Sequence, residues 1–184
     1  SLCRAALAAF PERITLRCAV AVDALKWAKT GWQALAADGN ILAEAPLIVM
    51  ASGVAAAHFS QFAWLRQIAA RGQVSHLPAA ATPPLEIVVC GHGYAVPAVD
   101  GHCLIGATLS LDDDEAGERL ADHRANLAQL ELTLPGFAAA IDPRQLSGRV
   151  GFRPLSADRL PIVGPVPAVS ATGVNSRLHS LPRL

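Results

Sequence analysis

Between Ile87 and Thr108 three short apolar runs alternate with glycine-bearing breaks. Ile87–Cys90, Gly93–Pro97 and Cys103–Thr108 are each too short for a helix. The breaks between them, Gly91-His92-Gly93 and Val99-Asp100-Gly101, have the composition of hairpin turns. Connections this short cannot carry a parallel crossover, which needs about a dozen residues or more, so the stretch predicts an antiparallel sheet. The Gly91-x-Gly93 pair is no phosphate loop, because it leads into a strand rather than a helix.

A second extended stretch lies at Arg149–Arg153. Alternation sends Arg149, Gly151 and Arg153 to one face and Val150 and Phe152 to the other. Pro154 is expected to end the ladder, having no N–H to give it. Leu160–Gly164 then reads as a short apolar strand closing on a glycine. An arginine at a strand end beside an apolar turn is well placed to grip a carboxylate, since its planar fork gives two parallel hydrogen bonds and stays charged at any working pH. Taken alone, Arg153 reads first as a strand-end arginine or one half of a surface ion pair.

Of the 184 residues, 52% are hydrophobic, enough for one sizeable core or for one domain plus part of another. A formal net charge of zero argues against a large nucleic-acid footprint within this chain, because such surfaces are strongly basic. Cys3, Cys18, Cys90 and Cys103 form no C-x-x-C pair and read as free thiols, which suits a reducing, cytoplasmic setting. The scattered histidines have no i, i+4 partner, so no metal site is expected. Leu47–Ala57 is the longest apolar run and is too short to cross a bilayer. The chain opens on a helix already in progress and so reads as a piece of a longer protein.

Along the chain, Leu2–Phe10 reads as a helix stopped by Pro11. Ile14–Leu25 and Trp27–Ala36 read as strands, with Asp38-Gly39-Asn40 turning into Ile41–Ala43. Pro46–Met50 is expected as an uninterrupted buried strand that runs into Ala51-Ser52-Gly53, where small residues let the backbone approach something closely. His58–Ala70 is helix-like, with Phe59, Phe62, Leu65 and Ile68 near helical spacing. Thr82–Leu85 is a loop. Asp112–Glu115 reads as N-terminal capping of the next helix rather than as a metal site. That helix runs to about Leu132, with Leu120, Leu127, Leu130 and Leu134 as its apolar stripe, and Pro135-Gly136 stops it. Beyond Gly164, Pro165–Leu184 reads as loop. The pattern is that of an α+β fold.

The run Gly151-Phe152-Arg153-Pro154, followed by Asp158-Arg159-Leu160-Pro161-Ile162-Val163-Gly164, resembles the signature of the D-amino-acid oxidase and glycine oxidase class of flavoproteins. Gly93-Tyr94-x-x-Pro97 followed by Ile105-Gly106-Ala107-Thr108, and Arg71-Gly72-Gln73, resemble the same class. Over nearly the whole of residues 1–167 the similarity narrows to the oxidase part of bifunctional enzymes that modify the wobble uridine of tRNA. The resemblance implies an antiparallel or mixed substrate-binding sheet covered by helices over residues 73–155. To this it joins an incomplete part of a two-dinucleotide-binding FAD domain over 1–72, with 156–184 returning toward it as a segment and loop.

The resemblance further implies FAD as cofactor. Val22, Ala51, Ser52 and Gly53 would run along the nucleotide, and Arg71, Gly72 and Gln73 would lie beside the flavin ring. Arg153 would bind the substrate carboxylate, with the Tyr94 hydroxyl adding a hydrogen bond. No side chain need act as a catalytic acid or base. The implied substrate is the carboxymethylaminomethyl group of a wobble uridine, the implied partner tRNA, and the implied neighbour an upstream methyltransferase domain. Two features of the class are missing: a Gly-x-Gly-x-x-Gly after a first strand, and a late Gly-Ser-Arg-Gly helix start. This chain alone is therefore expected to bind FAD poorly. A free glycine or D-amino-acid oxidase, and a binding module that has lost the cofactor, remain the alternatives.

Overall fold

The computed structural model describes residues 2–166, which divide into two compact units at Met50 and Ala51. In the first unit, helix α1 (Leu2–Ala8) precedes a three-stranded antiparallel meander of β1 (Ala24–Trp27), β2 (Trp32–Leu35) and β3 (Ile41–Ala45). Trp27 pairs with Trp32 across the first hairpin, and their rings meet edge to face at 5.4 Å. The expected Asp38-Gly39-Asn40 turn is present, with Gly39 at a φ of 83° that a side chain would resist. Gly31 is needed for space, since a Cβ there would lie 2.6 Å from the Ala45 carbonyl oxygen.

Three expectations for this unit fail. Trp27–Ala36 is not one strand, because a tight turn closed by the Ala28 N–H on the Gly31 carbonyl separates Trp27 of β1 from Trp32 of β2. Most of Ile14–Leu25 is not laddered: only Ala24 and Leu25 join the sheet. Ala19 takes a φ of 56°, which breaks the extended run, and Arg17 instead donates to the Leu42 carbonyl. Pro46–Met50 is no buried strand, and Leu47 and Val49 are 73% and 81% exposed. A run of apolar letters specifies only a willingness to be buried. No strand among the described residues lies beside this one to cover it.

The second unit is a six-stranded sheet built on β4 (Ile68–Pro78). Along one edge of β4 lie β7 (His102–Gly106) and the short β8 (Ser110–Leu111). Along the other runs β9 (Ser147–Leu155), paired from Ile68↔Leu155 to His76↔Ser147. The sheet continues outward from β7 through β6 (Tyr94–Val99) to β5 (Val89–Cys90), and every ladder is antiparallel. The three predicted short strands and their two glycine turns are thus β5, β6 and β7, and the fold is the expected α+β type. Pro154 does not end the ladder: it pairs opposite Ala69. β9 is an edge strand, where a residue without an N–H can sit without breaking a shared ladder.

Residues 58–70 also depart from expectation. Short 3-10 turns at Gly53–His58 and Ser60–Phe62 are separated by Phe59, whose extended φ of −85° and ψ of 131° interrupt any helix. Ile68–Ala70 then belong to β4, where the long β9 ladder outweighs the local helical spacing. Leu160–Gly164 is not a strand either: Leu160, Ile162 and Val163 stand exposed in irregular chain. Most of the predicted C-terminal loop, from residue 167 on, lies outside the described residues.

Helix α2 (Leu120–Thr133), the one long helix among the described residues, covers one face of the sheet. The core between them contains Leu77, Ala95, Cys103, Ile105, Leu130 and Phe137, with Leu127 and Leu134 at its margin. Gly136 reverses the chain with a φ of 77° after Pro135, as predicted. Of the expected leucine stripe only Leu130 is fully buried, and the helix sinks His123 and Asn126 onto the sheet beside it. Residues 123, 126 and 130 share one helical face, and what they meet below is polar.

Candidate active site

The two faces of β4 have opposite characters. Toward α2 it presents Arg71, Gln73, Ser75 and Leu77, all fully buried. Toward the other side it presents Ala70, Gly72 and Val74, which meet Arg153, Gly151 and Arg149 directly across the β9 ladder. Tyr94 and Gly106, paired between β6 and β7, complete this second face. Here lies a cavity of about 580 Å³, whose walls include Gly72, Tyr94, Gly106, Arg149, Gly151 and Arg153. Five glycines, at 72, 91, 93, 106 and 151, belong to its lining. A Cβ on Gly106 would come within 3.0 Å of Val74 Cγ1 and 3.2 Å of the Tyr94 hydroxyl, while one on Gly151 would meet nothing within 4 Å.

The structure therefore brings Arg153, Tyr94 and Gly72, expected at the site, to one cavity. It also turns the Arg149 guanidinium there, as the alternation required. Neither arginine side chain forms a hydrogen bond or ion pair with any described residue, and no Asp or Glu lines the cavity among the described residues. Two arginines without a carboxylate beside them among the described residues give this cavity a positive lining.

Arg71 and Gln73 are placed differently from what the resemblance implies for their side chains, which point away from this cavity. Arg71 is completely buried beneath α2. Its Nε donates to the Glu115 carbonyl at 2.6 Å and its Nη2 to the Gly117 carbonyl at 2.7 Å, while Nη1 pairs with Asp122 at 2.7 Å. Gln73 donates from Nε2 to the Arg119 carbonyl and accepts the Arg119 backbone N–H on Oε1. Strand alternation requires this: only Gly72, between them, can face the cavity.

The acidic run before α2 serves this network rather than the helix cap. Arg119 occupies the cap position without a side-chain cap bond. Asp113 takes a two-pronged bond from Arg119 at 2.5 and 2.8 Å. Asp113 also accepts the Glu115 N–H, and Glu115 accepts the Gly117 N–H. These bonds fold the loop so that two of its carbonyls meet Arg71. The Arg119 hydrogen bonds hold the Asp113 carboxyl below the usual carboxylate range, and Arg119 is raised in return.

Deeper under α2, Asn126 Nδ2 donates to the Gln73 carbonyl and to Ser75 Oγ, each at 3.0 Å. Ser75 Oγ in turn lies 2.7 Å from His123 Nδ1. His123 Nε2 lies 3.6 Å from a Glu118 carboxylate oxygen, and which of Ser75 and His123 donates follows from the imidazole tautomer. The triplet superficially resembles a nucleophile with its base, but Ser75 is fully buried and no substrate can reach it. This buried polar layer was missed from the sequence. Its one legible signal is the spacing of His123, Asn126 and Leu130 on a single helical face.

Of the residues expected along the nucleotide, Val22 lies in irregular chain of the first unit, 40% exposed. In the second unit, Ala51 and Ser52 are exposed and Gly53 turns the chain at a φ of 61°. For FAD, the fit can be tested at the cavity. A Cβ on Gly72 would come within 3.0 Å of the Thr108 carbonyl oxygen, whereas the space over Gly151 is open, and it is this open part of the cavity that fits a planar ring. Among the described residues no group of His, Cys, Asp or Glu could hold a metal ion. Nor, among them, is any helix long and apolar enough to cross a membrane.

The sheet thus carries a helix on one face and a cavity lined by Arg149, Arg153 and Tyr94 on the other. The chain belongs to the FAD dependent oxidoreductase (DAO) family, whose model matches residues 1–179. Among curated proteins it is 50% identical over 183 residues to the tRNA 5-methylaminomethyl-2-thiouridine biosynthesis bifunctional protein MnmC of Aromatoleum aromaticum, covering 100% of this chain and 29% of that protein. It is 46% identical to the protein of the same name from Azoarcus sp., with the same coverage. The chain thus spans less than a third of the relatives it matches. Among solved structures, glycine oxidase from Geobacillus kaustophilus superposes on 78% of this chain and 38% of its own with a TM-score of 0.58 at 21% identity. Fructosamine oxidase from Aspergillus fumigatus (Amadoriase II) covers 74% of this chain and 37% of its own, with a TM-score of 0.51 at 17% identity. These two likenesses establish the fold.

Proposed function

We propose that this chain is the substrate-binding part of an FAD-dependent oxidoreductase acting on the CH–NH bond of a glycine-like secondary amine. The amine proposed is the carboxymethylaminomethyl group on the wobble uridine of a tRNA. The observation that supports this best is the pairing of Arg153 and Tyr94 in one glycine-lined cavity that holds no acid to neutralise the arginine. The kinship with bifunctional tRNA-modifying proteins points the same way, and with it we propose an upstream methyltransferase domain and a cytoplasmic setting.

Arg153 would hold the substrate carboxylate through a two-pronged, charge-assisted bond. Tyr94, lining the same cavity, would donate its hydroxyl to the same group. With the acid end fixed, the C–H beside the nitrogen is oriented toward the open part of the cavity at Gly151, which is a positioning contribution rather than an acid–base one. FAD, when bound, supplies the two-electron acceptor. Loss of two hydrogens across the CH–NH bond leaves a C=N bond, which water divides into aminomethyl-uridine and glyoxylate. Arg71 and Gln73 would act from below, holding β4 flat so that Gly72 can lie close to the ring. Val22, Ala51, Ser52 and Gly53 are proposed to follow the nucleotide part of the cofactor.

Replacing Arg153 by Lys in the flavin-loaded protein keeps the charge and loses the fork. It is expected to weaken substrate by roughly 1–3 kcal/mol, or about five- to 150-fold in KM. An unchanged KM for the modified RNA would remove Arg153 from this role.

A further inference from the structure

Arg149 has no part in the reaction just described, yet it lines the same cavity as Arg153. The two stand four residues apart on one face of β9, opposite Val74 and Ala70. At about 3.3 Å per residue their backbone positions are separated by roughly 13 Å. Both side chains are exposed and neither has a protein partner among the described residues. No carboxylate lines the cavity to offset either charge. Both charges are therefore available to a ligand that carries two separated anions.

A free amino acid carries a single carboxylate and is too short to reach from one guanidinium to the other. A nucleotide bearing a glycine-like arm on its base edge has the required form: the carboxylate at one end, the phosphodiester at the other and a flat ring between. We infer that Arg149 is a second anion anchor that binds a backbone phosphate of the RNA while Arg153 holds the acid arm, so that Arg149 separates a polynucleotide substrate from a free amino acid. This rests on the function proposed above and adds to it the residue that selects RNA.

The test uses the flavin-loaded full-length protein and two probes. One is an anticodon stem-loop RNA with carboxymethylaminomethyl-uridine at the wobble position; the other is the same modified uridine as a nucleoside without phosphate. Arg149→Ala is expected to raise KM for the RNA about tenfold and to make the log–log salt slope of RNA binding shallower by about 0.7, the value for one lost single-strand phosphate contact. KM for the nucleoside should not change. Arg149→Lys, which keeps a point charge, should restore most of the slope. If Arg149→Ala leaves both RNA quantities unchanged while the wild type still oxidises the RNA, the anchor is refuted and the proposed function stands. The anchor is equally refuted if KM for RNA and nucleoside rise together, since the residue then acts on the shared arm. A wild type that oxidises neither probe overturns the proposed function, and the anchor falls with it.

Discussion

Replacing Arg71 by Met removes the centre of the layer between β4 and α2 while filling most of its volume. Arg71 satisfies the carbonyls of Glu115 and Gly117 and pairs with Asp122, and its side chain has no exposed surface. A carbonyl left buried without a donor costs about 1–3 kcal/mol, and breaking a buried ion pair from one side costs about 3–5 kcal/mol. Asp122 retains 13% side-chain exposure and the loop carbonyls can admit water, so both contributions fall toward their lower ends. The sum is about 4–6 kcal/mol, comparable with the whole stability of many domains. Urea unfolding of the flavin-loaded protein, followed by far-UV circular dichroism, reads the loss. The double variant Arg71→Met with Asp122→Leu removes both charges and should recover about 2–3 kcal/mol, because an apolar replacement of a complete buried pair is close to neutral. A loss below about 1 kcal/mol in the single variant, or no recovery in the double, would refute the account of Arg71 as a buried charge held by Asp122.

Gly106→Ala should push the Tyr94 hydroxyl aside and raise KM for the modified RNA severalfold, at a stability cost of about 1–3 kcal/mol, because its Cβ would lie 3.2 Å from that oxygen; kinetics at saturating flavin will show whether KM moves. Asp113 is held below the usual carboxylate range chiefly by the Arg119 hydrogen bond. A lowered folded-state pKa adds stability above the unfolded value near 3.9, and that stability disappears as pH falls through the folded pKa. Asp113→Asn should therefore be less stable than wild type at neutral pH, and the gap should close on acidification; a gap constant down to about pH 2 would exclude the pair as its source. Burial pushes the Cys103 thiol up, and its Sγ donates to the Val96 carbonyl at 3.0 Å. Iodoacetamide should label exposed Cys3, Cys18 and Cys90 in the native protein and leave Cys103 for denaturant, as peptide mass mapping can establish.

The cavity face was legible where strand alternation and turn chemistry act over a few residues. Alternation alone predicted that Arg149, Gly151 and Arg153 share a face, and the glycine turns defined β5, β6 and β7. The errors arose where a segment's state depends on distant chain. His58–Ala70 has helical spacing, but its last three residues are claimed by a ladder to residues 153–155. Pro46–Met50 has the letters of a buried strand and lacks a neighbour among the described residues. Asp112–Glu115 read as a cap because Arg71, which the loop's carbonyls serve, lies 44 residues earlier than Glu115.

By itself the sequence determined the antiparallel hairpins, the open face of the edge strand and membership of a family, because period-two alternation and turn residues are local and the family's motif is contiguous. Tertiary structure alone decided that Arg71 and Gln73 face a helix while Gly72 faces a cavity. It also decided that Tyr94, Arg149 and Arg153 line one cavity, where neither arginine has a side-chain partner among the described residues. Pairing register converts a residue's position along a strand into its neighbours in space, and register is set by contacts between segments far apart in the chain.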